Sequence, residues 1–135
     1  MNDRDHYLLG VRPEIPAARI TDDMTAEEQF QNRTLRPVIK FQNNLLIAAF
    51  KNYIRKYKNS FFDLSLEKRL TYIENAIQKD IKFRNSLKGM IIGQFTITEY
   101  ETYIRHSSAL NKRMMGMVIA RLKDQIQLFE MEALV

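Results

Sequence analysis

The chain has 135 residues, with 21 lysines and arginines against 16 acids, a formal net charge of +5 and no cysteine. That length suits one domain able to bury its own core. The missing cysteines exclude a disulfide framework, a thiolate nucleophile and a cysteine zinc site, and fit a reducing compartment.

The charge is unevenly spread. Residues 1–24 hold five acids against three arginines, so the remainder carries 18 basic and 11 acidic residues. Between Glu28 and Asp63 there is no acid, while Arg33, Arg36, Lys40, Lys51, Arg55, Lys56 and Lys58 all fall there. Such a segment attracts polyanions at low salt, unless the acidic arm or another chain neutralises it. The first apolar run, Tyr7–Val11, is too short for a signal-peptide core, and the longest later one, Leu45–Phe50, is far short of a membrane span. A cytoplasmic protein with no membrane partner is expected.

Residues 1–24 contain Pro13 and Pro16 and little periodicity, and read as an extended or partly disordered arm. If its apolar members Tyr7, Leu8, Leu9, Val11 and Ile15 dock on a neighbouring groove, the arm becomes a candidate for exchange between protomers. Residues 25–135 read as a helical bundle domain. The capping-box pattern Thr25–Glu28 starts a helix. Pro37 then predicts a kink or short break near Leu35 and Arg36, with the helix resuming at Pro37.

From Pro37 to about Tyr57, a helical projection gathers Lys40, Asn44, Lys51, Arg55 and Lys58 on one narrow strip. Val38, Ile39, Phe41, Leu45, Leu46, Ala49, Phe50, Tyr53, Ile54 and Tyr57 fill the rest of the circumference, so this helix is expected at the centre with only its basic edge wet. Asp63 or Ser65 caps the next helix, whose stripe Leu66, Leu70, Ile73 and Ile77 describes a surface helix. A second stripe, Phe83, Leu87, Met90 and Ile91, is offset from the first and places a bend near Lys79 and Asp80. Gly93 is a natural stop, and Gly89 with Gly93 in "GMIIG" marks tight helix contact. "QFTIT" is the only candidate strand.

The "TITE" pattern opens the last helix, read with Thr98 as N-cap and Glu101 at N3, running to about residue 130 with a local bend at Ser107 and Ser108. Its apolar arc, from Leu110 through Met114, Met115, Met117, Val118, Leu122 and Ile126 to Phe129, is wide, while Arg105, Lys112 and Lys123 share the opposite strip. The pattern describes an inner helix better than an exposed partner-binding one. The expected architecture is all-α: an antiparallel bundle of four to five helices, two of them long, with the extended N-terminal arm.

Polar residues projecting into the apolar arcs need partners. Gln42, Ser107, Asn111, Arg121 and Gln125 are therefore the candidates for a small polar pocket or a symmetric interface, and an internally satisfied network is the alternative. Lys40, Lys51, Arg55, Lys58, Arg105, Lys112 and Lys123 are the candidate polyanion contacts. Catalytic equipment is not visible: the chain has two histidines, His6 and His106, and no H-E-x-x-H, Walker loop or G-x-S-x-G. No metal, cofactor or catalytic residue is expected, although a scattered acid–base pair leaves no motif to find.

The stretches "FQNRTLRPVIKFQNNLLIAAFKNYI", "KDIKFRNSLKGMIIGQFT" and "SSALNKRMMGMVIARL" resemble segments of a group of small, uncharacterised bacterial all-helical proteins, some loosely labelled glyoxalase. The resemblance runs from about residue 25 to 130 and implies an all-helical domain. A vicinal-oxygen-chelate glyoxalase needs paired βαβββ modules and His/Glu metal ligands, which these residues do not supply, so the label brings no site residue. The sequence thus points to a non-enzymatic helical interaction module, expected as a homodimer. A basic nucleic-acid-binding protein and a small anionic-ligand-binding bundle are the alternatives.

Overall fold

The computed structural model describes residues 1–131, so the last four residues of the expected 25–135 domain lie outside the described part. The protein is all-helical, with no β-strand among the described residues, and "QFTIT" forms a turn and a helix start. No helix is long and apolar enough to cross a membrane.

The N-terminal segment is not extended. Asp3–Val11 forms helix α1, capped by the Asn2 side chain, which accepts from the Asp5 amide at 2.8 Å. Asp3 and Asp5 complement the positive end of the helix dipole. The helix stops because Arg12 precedes Pro13 and takes an extended conformation (ψ 133°).

Helix α2 (Ala26–Phe30) starts at Thr25, whose hydroxyl accepts from the Glu28 amide at 3.1 Å. Before Pro37 the regular α-helix is interrupted without a gap in the helical chain, and it resumes at Arg36 with Pro37 in its first turn. The preceding turn opens into a π-helical segment, Gln31–Leu35, in which the Arg36 amide donates to the Gln31 carbonyl, and α3 (Arg36–Phe41) continues from it. The wider turn relieves the clash between a proline ring and the carbonyl four residues back. The chain bends again at Gln42 (ψ 3°) before α4 (Asn43–Lys56). Helix α4 ends through two consecutive left-handed residues, Lys58 and Asn59, both at φ 61°.

A short 3-10 turn (Ser60–Asp63) leads to α5 (Leu66–Lys79), for which Ser65 is the cap. The expected bend falls at Asp80, whose carboxylate accepts from the Phe83 amide at 3.2 Å and starts α6 (Ile81–Ile92). Gly93 closes α6. Gly89 does not mark tight contact: a Cβ there would meet nothing within 4 Å.

The last segment is two helices, α7 (Ile97–Arg105) and α8 (Ser107–Asp124), broken at His106, followed by a 3-10 turn (Ile126–Leu128). The N-cap of α7 is Thr96 and not Thr98. Its hydroxyl accepts from the Glu99 amide at 3.2 Å, and Glu99 accepts from the Thr96 amide at 2.8 Å, a complete capping box two residues earlier than expected.

Helix α8 packs against α4, α5, α6 and the π segment. Leu110, Met114, Val118 and Leu122 are fully buried on it and Met115 and Ile119 nearly so. Phe50 of α4 is also fully buried and meets the rings of Tyr53, Phe61, Tyr72, Phe83 and Phe129. The wide apolar arc of α8 is thus mostly covered within one chain, with Met117 half-buried. Phe41, Leu45 and Tyr57 depart from expectation and are exposed, Phe41 beside the bend at Gln42 and Tyr57 at the end of α4.

Candidate functional site

Two charged clusters organise the surface, and they differ in whether their charges are met. The first ties the N-terminal segment to the body. Arg12 donates from Nη1 and Nη2 to the two Glu99 carboxylate oxygens, both at 2.6 Å, and from Nη2 to the Gln94 carbonyl at 2.8 Å. Thr34 of the π segment donates to the same carboxylate at 2.8 Å. Burial pushes the Glu99 carboxyl up, but the hydrogen bonds from Arg12, the Thr96 amide and Thr34, with the Arg12 charge, together hold it below its ordinary value. Buried Asp5 accepts from the Ile97 amide at 3.0 Å, and Arg4 donates to the Gly93 carbonyl at 2.9 Å. The arm therefore docks on its own chain.

The second cluster is a cleft of about 530 Å³ between α3 and the C-terminal end of α8. Arg36, Lys40 and Ile39 line it from α3, Met117, Ala120, Arg121 and Asp124 from α8, and Gln31, Gln125 and Ile15 complete it. The π turn matters here, because closing a hydrogen bond over five residues stacks Gln31 and Arg36 along the helix axis.

At the cleft, Asn43 and Gln125 form a reciprocal amide pair (2.9 and 2.7 Å), and Asn43 Oδ1 also accepts from Arg121 Nη1 at 3.3 Å. That pair holds the guanidinium in place. Gln31 Oε1 accepts from Arg113 at 2.7 Å, which leaves its amide N–H groups available. Among the described residues no carboxylate lies within ion-pair distance of Arg36, Lys40 or Arg121.

The five candidate pocket residues therefore do not converge. Arg121 and Gln125 meet, but Gln42 donates to the Met90 carbonyl at 2.7 Å, Asn111 accepts from Tyr103 at 2.5 Å, and Ser107 sits half-exposed at the start of α8. Gln42 and Asn111 are internally satisfied. Sequence reasoning missed Arg36 and Gln31 as lining residues; the arginine before Pro37 was the available signal, hidden because the expected kink removed it from any helical face.

The candidate polyanion residues divide in two. Lys40, Lys51, Arg55 and Lys58 are exposed along the α3–α4 edge. Arg105 and Lys112 are exposed elsewhere, and Lys123 turns to α5, where its Nζ lies 3.4 Å from Glu74. His106, the residue between α7 and α8, lies 3.6 Å from Glu27.

At the far end of α4, Asp80 Oδ2 accepts from Tyr53 and Tyr57 at 3.2 and 3.1 Å. Burial, with the neighbouring Asp80 charge, pushes the Tyr53 phenol up, while the Phe83 amide leads the effects that hold Asp80 below its ordinary value. Both tyrosine hydroxyls are thereby committed to Asp80.

Among the described residues, no group of three His, Asp or Glu side chains is placed to hold a metal ion. Fold and cleft together define a small all-helical protein that carries an unneutralised cationic cleft. No protein-family model, curated protein or solved structure matches the chain.

Proposed function

We propose that the protein is a non-enzymatic helical interaction module, built as an antiparallel bundle around α3–α4 and α8, that pairs with a second copy of itself through the outer face of α7. The observation that carries this reading is the stripe Ile97, Tyr100 and Ile104, each about half exposed (51%, 47% and 53%). Their spacing of three and four residues puts them on one flank of the helix. Single exposed apolar residues are ordinary, but a helical stripe of three favours a partner.

A two-fold interface must be self-complementary, and this stripe reads Ile–Tyr–Ile in either direction. Antiparallel copies of α7 set Ile97 against Ile104 of the second copy, with the exposed Glu101 and Arg105 supplying opposite charges beside them. The α3–α4 edge is unsuited to self-association because its like charges repel. Sedimentation at micromolar concentration tests the reading: a dimer that Ile104→Asp converts to monomer supports it, and a strict wild-type monomer overturns it.

A second reading, nucleic-acid binding along α3–α4, draws on the exposed Lys40, Lys51 and Lys58. Its phosphate contacts predict RNA affinity that falls steeply with added salt, and no binding at low salt eliminates it.

A further inference from the structure

We propose that the α3–α8 cleft is a binding site for a phosphate monoester whose remaining part carries hydroxyl groups, of the size of a sugar phosphate. This goes beyond the dimer reading and does not depend on it. The cleft's charges are the first ground. Arg36, Lys40 and Arg121 against Asp124 leave an excess of two positive charges, which matches a phosphate monoester at −1.5 to −2 near neutral pH.

Geometry is the second ground. Arg36 and Lys40, four residues apart on α3, share one wall, and Arg121 stands on the α8 wall. A guanidinium presents a planar fork of five N–H donors suited to phosphate oxygens. Of those in Arg121, one donates to Asn43, and this bond positions the rest. The ligand's hydroxyls find an acceptor in Asp124 and donors in the Gln31 amide, while Ile39, Met117 and Ala120 give its carbon skeleton an apolar surface. The cleft volume falls within the usual range for small-molecule sites.

Neighbouring features explain why this cleft differs from the other concavities. The cavity of about 640 Å³ at Tyr53, Tyr57 and Asp80 is lined by Lys79 and Lys82 against Asp80, a smaller positive excess with no guanidinium among its lining residues. In the α3–α8 cleft none of the three cations has a carboxylate within ion-pair distance, Asp124 included, so they remain available to an incoming anion.

The test is titration of the full chain with ribose 5-phosphate, ribose, inorganic phosphate and single-stranded RNA, followed by calorimetry and thermal melting. We expect saturable binding of ribose 5-phosphate and a melting temperature raised by roughly 5 °C at ten times Kd, with no shift from ribose. Arg121→Met and, separately, Lys40→Met should weaken binding roughly ten- to a hundredfold, whereas Lys82→Met, beside the tyrosine cavity, leaves it unchanged. Inorganic phosphate should compete. No saturable ribose 5-phosphate binding, binding that survives both cleft variants, or binding of RNA alone would each overturn the assignment. Because Lys40 is exposed, its variant tests the cleft even if Arg121→Met folds poorly.

Discussion

Arg12 and Arg121 are the same residue type in opposite circumstances. Arg12 is nearly buried, forked onto the Glu99 carboxylate, and that carboxylate also receives Thr34 and the Thr96 amide, so the node is neutralised within the chain. Arg121 is half-buried, takes one neutral acceptor in Asn43, and shares its cleft with two further unpaired cations. Charge satisfied by its own chain acts as a fastener, and charge left unmatched in a cleft is available to something else.

The largest effect belongs to the fastener. Arg12→Met leaves the Glu99 carboxylate without its counter-charge and should destabilise the fold by about 3–5 kcal/mol, the usual cost of breaking a buried pair. Hydrogen exchange checks the location, since protection of the α1 amides should fall first. The same node sets an acid limit. Because the folded Glu99 carboxyl lies below its ordinary value of 4.5, its contribution is complete above that pH and is lost as pH falls through the depressed folded value. Chemical denaturation in stepped buffers should show that loss in wild type and not in Glu99→Gln, which is already weakened.

Next in size is the α7 face. Ile104→Asp places a charge twice in a two-fold interface and should weaken dimerisation on the order of a hundredfold, read by sedimentation, with little change in monomer melting. A smaller effect separates stability from charge on the basic edge. Lys58 holds a left-handed conformation that glycine adopts freely, so Lys58→Gly should stabilise the fold by about 1 kcal/mol while lowering any RNA affinity. Smallest of all is the stability change for Arg121→Met, within about 0.5 kcal/mol in the absence of ligand, because no charged partner is orphaned.

The all-helical class was legible because apolar residues recur at helical spacing from Val38 to Leu122, and the Ser65 and Asp80 caps sit just ahead of such stripes. Other features depended on distant contacts. Thr96–Glu99 and Thr98–Glu101 are overlapping capping patterns of equal local merit, and Arg12 and Thr34, brought to Glu99 by the fold, accompany the first of them. Helix α1 was hidden by Pro13 and Pro16, although Asn2 followed by Asp3 and Asp5 is a fair helix start. Part of the cleft was legible too, since Arg121 and Gln125 had to find partners. Gln31 and Arg36 were not, because regular helical spacing separates residues that a π turn stacks.

Whether unmatched cations mark the binding cleft is tested most directly by melting Arg12→Met and Arg121→Met side by side, each with and without ribose 5-phosphate. The Arg12 variant should melt lower yet keep the ligand-induced rise, while the Arg121 variant should melt like wild type and lose it. A rise that persists in the Arg121 variant, or that disappears only with Arg12, would contradict that role for the cleft.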